Sequence, residues 1–227
     1  MTAALAIGFF WVAFAATHVA LSSARLRARL VGTLGEPAFA GVYSVVALAT
    51  FVPLVWIFAT HKHAGPLLWL TLGPPALAQV VTHVVLALAF VFLVGSLLPG
   101  SAPPSSMAAR GRATARGLTR ITRHPMLIAF ALFGIGHLFV NGSLGDVLFF
   151  GGFVAFAALG AWHQDSRKAR ERPDYAAVMA ETSVMPFAAI LAGRQRLVLA
   201  ELPLAALAGG LVLALVVRLF HRPLFGP

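Results

Sequence analysis

The chain reads as an all-α, polytopic integral membrane helix bundle, and three features of the sequence carry that reading. Hydrophobic residues make up 59% and charged residues 11%, and the mean hydropathy of +0.88 lies outside the range of soluble domains. Apolar runs near the ~20 residues needed to cross a bilayer recur along the chain, about six times: roughly 4–22, 38–60, 76–98, 125–141, 145–163 and 199–219. None shows the alternation of a lipid-facing barrel strand. With no water in the hydrocarbon, each run must satisfy its own backbone, which makes it a helix. The six runs form one membrane domain, residues 1–227, with no internal repeat.

Each segment has its own start signal. The first, "MTAALAIGFFWVAFAATHVALSS", has no basic residues ahead of it and a basic cluster behind it, so it reads as a retained span rather than a cleaved leader. Glu36-Pro37 opens the second, since proline suits a first helical turn. The loop "HKHAG" follows it and carries His61 and His63. After the third segment comes "PGSAPPSSMAARGRATARG"; together with the residues up to Arg123 it reads as a cytoplasmic linker over about 99–123, too rich in Pro, Ser and Gly to bury a core. Arg123-His124-Pro125 opens the fourth segment. "NGSLG" joins the fourth to the fifth and is short enough to require antiparallel neighbours. Gly151, Gly152 and Gly160 in the fifth let helix backbones approach closely. Beyond it, residues 165–194 are basic and amphipathic. Pro173 opens a short helix there, with Tyr175, Val178, Met179 and Thr182 on one face, as in an element lying along a membrane surface.

The formal charge of +10 is a topology signal. Of 17 Lys and Arg residues, 14 sit in alternate loops: Arg25 to Arg29, Arg110 to Arg123, and Arg167 to Arg196. The positive-inside rule makes those loops cytoplasmic and puts both termini on the far side. Membrane lipid, including anionic headgroups, is the partner this distribution fits, and nucleic acid is not. There is no cysteine, hence no disulfide, thiolate ligand or covalent haem attachment.

Polar side chains inside spans are costly and rarely face lipid, so they are functional candidates. Gly134, His137 and Asn141 share one face of the fourth segment, Gln79 and His83 one face of the third, and His18 and Ser22 one face of the first. At ~1.5 Å per residue, His137 lies about 18 Å beyond Pro125 and His83 about 22 Å from Leu98, at one level of the outer half; His18 is only about 6–8 Å from its inner end. Two imidazoles facing each other across a dry cavity suit haem b, with Phe130, Phe133, Phe149, Phe150, Phe153, Phe156 and Trp162 available to line it. The plainer reading is a histidine hydrogen-bonded to its neighbour helix. The spans hold no carboxylate or thiolate beside these rings for a zinc site, and Ser22 with His18 has no acid to orient a hydrolase base.

"THVALSSARLRARLVGTLGEPAFAGVYSVVALAT" (17–50), "RHPMLIAFALFGIGHLFVNG" (123–142), "DVLFFGGFVAFAALGAWHQDSRK" (146–168) and "TSVMPFAAILAGR" (182–194) together resemble the NnrU family of bacterial membrane proteins. The resemblance implies an inner (plasma) membrane protein, with both termini periplasmic, that supports nitrogen-oxide (denitrification) metabolism. The same superfamily contains the zeta-carotene isomerase group, haem b enzymes that isomerise a cis double bond of a linear polyene. By that likeness His137 is an iron ligand, His18 is implicated, and a loop ligand falls at His61 or His63. That group's switchable cysteine corresponds to Gly134, so ligand switching does not transfer. Depth pairs His137 with His83, whereas the resemblance pairs it with His18. "RHPM" with the downstream "RPDYAAVMAETSVMP" is also similar to the isoprenylcysteine carboxyl methyltransferase group, which binds S-adenosylmethionine at an Arg-His-Pro motif. In that reading Arg123 and His124 hold a carboxylate or phosphate, although Leu127 stands where the group has tyrosine.

Overall fold

A computed structural model describes residues 1–98 and 115–225. Its long helices are α1 (Thr2–Ser22), α3 (Glu36–Thr60), α4 (Pro75–Leu97), α7 (Leu144–Glu171) and α10 (Leu204–Phe225); shorter ones are α2 (Ala24–Leu34), α5 (Leu118–Ile121), α6 (Pro125–Leu138), α8 (Tyr175–Glu181) and α9 (Ala188–Leu191). Among the described residues there is no strand, only an isolated bridge between Leu67 and Ser143. The all-α membrane bundle is what the composition predicts.

Among the described residues five helices, rather than six, are long and apolar enough to cross a bilayer. The fourth expected segment ends at Leu138, not 141. Its 14 residues rise only about 21 Å, against ~30 Å of hydrocarbon. Asn141 and Val140 turn their N–H groups onto the His137 carbonyl, and Asn141 adds its side-chain amide, which closes the helix. A short helix is tolerated here because α6 lies between α4 and α7, where irregular backbone is covered by protein.

The helices pack in the order α10–α4–α6–α7–α1–α3. Close approach is sequence-encoded where α6 meets α7 and where α1 meets α7. A Cβ at Gly134 would lie 2.3 Å from the Phe150 carbonyl oxygen, and one at Gly152 2.2 Å from the Trp11 ring. Trp11 donates its indole N–H to the Phe149 carbonyl at 3.0 Å. Around it Ile7, Leu54, Phe149 and Phe150 form the main apolar core.

Two boundaries differ from expectation for one reason, burial against the bundle end. The linker predicted over 99–123 lies outside the described residues up to 114, but from Ala115 on it is packed: Leu118, Thr119, Ile121 and Thr122 are buried. The amphipathic stretch 165–194 does not begin as a loop, since α7 continues to Glu171. Its apolar face, Tyr175, Val178 and Thr182, is buried. Backbone bonds from Arg123 N–H to the Ser183 carbonyl and from Phe187 N–H to the Ile121 carbonyl stitch the two segments into a cap over the arginine-rich end. α2 was not foreseen. It buries none of its residues and carries Arg25, Arg27 and Arg29, the pattern of an interfacial helix.

Candidate functional site

His124 precedes the proline that opens α6, and α7 runs far enough to bring Asp165 beside it. Asp165 receives the Arg123 Nε at 2.8 Å on one oxygen, and the His124 Nε2 at 2.8 Å and the Tyr175 hydroxyl at 2.7 Å on the other. All four residues are buried. Burial pushes the His124 ring below the ordinary imidazole value, against the upward pull of Asp165. Burial and then the bond to Asp165 push the Tyr175 phenol up. The Arg-His pair that the methyltransferase likeness would offer to a cofactor is thus already held by Asp165 and by the Thr182 carbonyl. This cluster is a closed network that pins the cap.

A cavity of about 610 Å³ opens at the same end, between α1, α3, α6 and α7, within the usual size range of small-molecule sites. Phe14, Phe39, Phe130 and Phe156 line its apolar part; His18, Tyr43, Ser22, His163, Arg27 and Arg167 line its polar part. His18 bonds the Phe14 carbonyl through Nδ1 at 3.0 Å. A carbonyl only accepts, so Nδ1 carries the proton and Nε2 keeps its lone pair. That is the arrangement by which proteins orient a ligating imidazole. The ring is packed by Phe14 at 4.0 Å, Tyr43 at 5.0 Å and Phe156 at 5.5 Å between centroids. Ser22 donates to the His18 carbonyl and meets His163 Nε2 at 2.9 Å.

The outer histidines are placed differently from the facing pair that depth suggests. His137 also bonds a carbonyl, Phe133, through Nδ1 at 2.9 Å, but its ring lies flat on Phe150, 4.4 Å away. His83 is exposed, with both nitrogens engaged: Nδ1 with the Gln79 carbonyl at 2.6 Å and Nε2 accepting from Arg218 at 2.8 Å. The physical reason is helix phase. Thr82 and Leu86 form the α4 face on α6, and His83 is turned about 100° from Thr82, toward α10. In the outer loop His61 pairs with Thr60 Oγ1 at 2.9 Å, and His63 with Asp146 at 2.9 Å. Asp146 is itself buried and closes the capping box of α7 with Ser143. Of the expected aromatic lining, Phe130 and Phe156 reach the cavity, Phe133, Phe149, Phe150 and Phe153 build the core, and Trp162 is exposed.

Sequence reasoning did not single out Tyr43, Arg27 or Arg167 for this cavity. The signal was available for His163, which lies at the depth of His18. Among the described residues no three His, Asp or Glu side chains converge as a metal site.

Comparisons with known proteins agree on the relationship. The family described as "NnrU protein" matches residues 5–227. The chain is 30% identical over 184 residues to "15-cis-zeta-carotene isomerase, chloroplastic" of Arabidopsis thaliana, covering 80% of this chain and 49% of that protein. It is 26% identical over 187 residues to the protein of the same name from Zea mays, covering 82% and 50%. The chain spans about half the length of these curated relatives. No solved structure matches. A match over nearly the whole chain, on a bundle of apolar helices, places this membrane protein in the NnrU family.

Proposed function

We propose that the protein is a haem b-binding membrane protein whose cavity at the arginine-rich end performs cis–trans isomerisation of a linear polyene. One observation carries the reading: the free Nε2 of His18, held by its bond to the Phe14 carbonyl, at an aromatic-lined cavity of about 610 Å³. The residues fit a haem. His18 would hold the iron, the phenylalanines would pack against the apolar body of the group, and Arg27 and Arg167 would meet its charged groups. When bound, haem supplies an iron that can lower the bond order of a double bond; the protein orients the substrate and excludes water. The names of the curated relatives support the reaction class. His18 replaces His83 as the preferred ligand because both His83 nitrogens are engaged. His137 stays a second candidate, since its Nε2 has no hydrogen-bond partner among the described residues.

The arrangement also assigns work to the chain's own groups. Tyr43 and Phe156 fix the plane of the His18 ring. Met126 lines the cavity and is partly exposed, so it adds a flexible apolar side chain to the wall.

The test uses protein purified with haem supplied, reconstituted with a polyene carrying one central cis bond. Wild type is expected to show a Soret band and to change the isomer ratio. His18→Ala should lose at least about tenfold in haem affinity, since losing even a group that only orients a ligand typically costs about 10–100-fold, and with it the change in isomers. A colourless wild type would refute the cofactor. A Soret band with an unchanged isomer ratio would refute the isomerase and leave the nitrogen-oxide role that the family likeness implies.

A further inference from the structure

The cavity is lined by both aromatic rings and arginines. Arg27 and Arg167 line it against a single carboxylate, Glu36. Glu36 is paired with Arg27, whose guanidinium also lies over the Phe39 ring at 5.4 Å. Arg167 is held more loosely, by an ion pair with Glu171 one helical turn on. Its Nη1 reaches the Ser22 carbonyl at 3.2 Å, and its Nε, 3.8 Å from the Glu171 carboxylate, is a buried donor without a hydrogen bond. A guanidinium presents donors in a fixed fork that matches a carboxylate. A buried donor left unmade is costly, so it marks a place where an acceptor is expected. Ser22 and His163 add hydrogen-bonding groups beside it.

We propose that the arginine-lined part of the cavity is a carboxylate head site: Arg167, assisted by Arg27, holds the acid group of an amphiphilic guest whose apolar body lies among Phe14, Phe39, Phe130 and Phe156. The carboxylate has two sources, a haem propionate or a free fatty acid. The first rests on the haem reading above, and the second does not. The site selects by charge at the head and by shape along the body. An apolar polyene without an acid group would leave it open for a second, acidic molecule.

The experiment compares each acid with its ester, so that wild type alone is informative. Haem b and its dimethyl ester are titrated into the purified full chain by Soret absorbance, and palmitate and methyl palmitate by calorimetry. A charge-assisted hydrogen bond contributes about 1.5–3 kcal/mol, so the acid form should bind about tenfold or more tightly than the ester. Arg167→Gln should lower acid affinity to that of the ester and leave the ester unchanged. Arg167→Lys, which keeps the charge and loses the fork, should fall between. Preference for haem over its ester identifies a propionate. Preference for palmitate in a protein that binds no haem identifies a fatty acid, and then the haem reading fails while the head site stands. Equal affinity of acid and ester in both pairs, or an Arg167→Gln variant that keeps the preference, overturns the proposal.

Discussion

Asp165→Asn is expected to cost about 3–5 kcal/mol, the price of leaving one partner of a buried ion pair uncompensated. The side chains of Asp165, Arg123 and His124 are 8%, 10% and 1% exposed, so water cannot replace what the carboxylate supplies. Asparagine keeps the shape. On the His124 side the change can be absorbed by a shift of tautomer and a turn of the Tyr175 hydroxyl. On the other side no second carboxylate neutralises Arg123, whose guanidinium among the described residues bonds Asp165 and the Thr182 carbonyl. A loss of that size is comparable to a whole domain's stability, and the cap over 115–123 and 175–191 should open first. Thermal unfolding in detergent, followed by proteolysis near Arg194, measures both. The double variant Arg123→Met/Asp165→Leu should recover much of the loss, because apolar residues of similar volume often replace buried pairs at little cost. If Asp165→Asn melts with the wild type, the network does not hold the cap.

The second large effect is steric. Gly134→Ala should destabilise the bundle by at least about 1–3 kcal/mol, the usual range for overpacking, because the added carbon meets a backbone oxygen that cannot rotate away. The Phe150 carbonyl would lie 2.3 Å from it and the Val154 side chain 3.0 Å. Gly134→Leu should separate α6 from α7 and abolish the folded state. Gly151→Ala, with no atom within 4 Å of the new carbon, is the control and should stay within about 0.5 kcal/mol, as surface substitutions do. Equal melting of Gly134→Ala and Gly151→Ala would mean that α6 and α7 are not in the contact described.

The glycines show how far reading residues can go. Three in the fifth segment suggested close approach, and Gly152 is the one that a neighbouring helix touches most closely, through Trp11; Gly151 faces open space. Spacing names the candidates, and only the rotation of one helix against another selects among them. The histidines repeat the lesson. Depth along a helix is fixed by residue count, so the shared level of His18 and His163 was legible. Azimuth is not fixed by counting, so the facing of His83 toward His137 was not, and the structure turns His83 to Arg218. Arg123 and His124 were visible as a motif, but their partner Asp165 stands 42 and 41 residues away. No local pattern reveals such a pairing.

Composition, segment length and the placement of arginines determined the class of molecule, its solvent and the number of long apolar runs to within one, while the family likeness rested on the quoted motifs. These follow from one-dimensional quantities, because the transfer of a helix into lipid depends on its summed hydrophobicity. The tertiary structure alone decided which helices are neighbours, that α6 lies between two of them and need not span, that the Arg-His pair is closed by an acid, and that His18 rather than His83 opens on a cavity. Those outcomes depend on side-chain shape and helix rotation across contacts between residues far apart in the chain, where sterics and hydrogen-bond geometry select one packing.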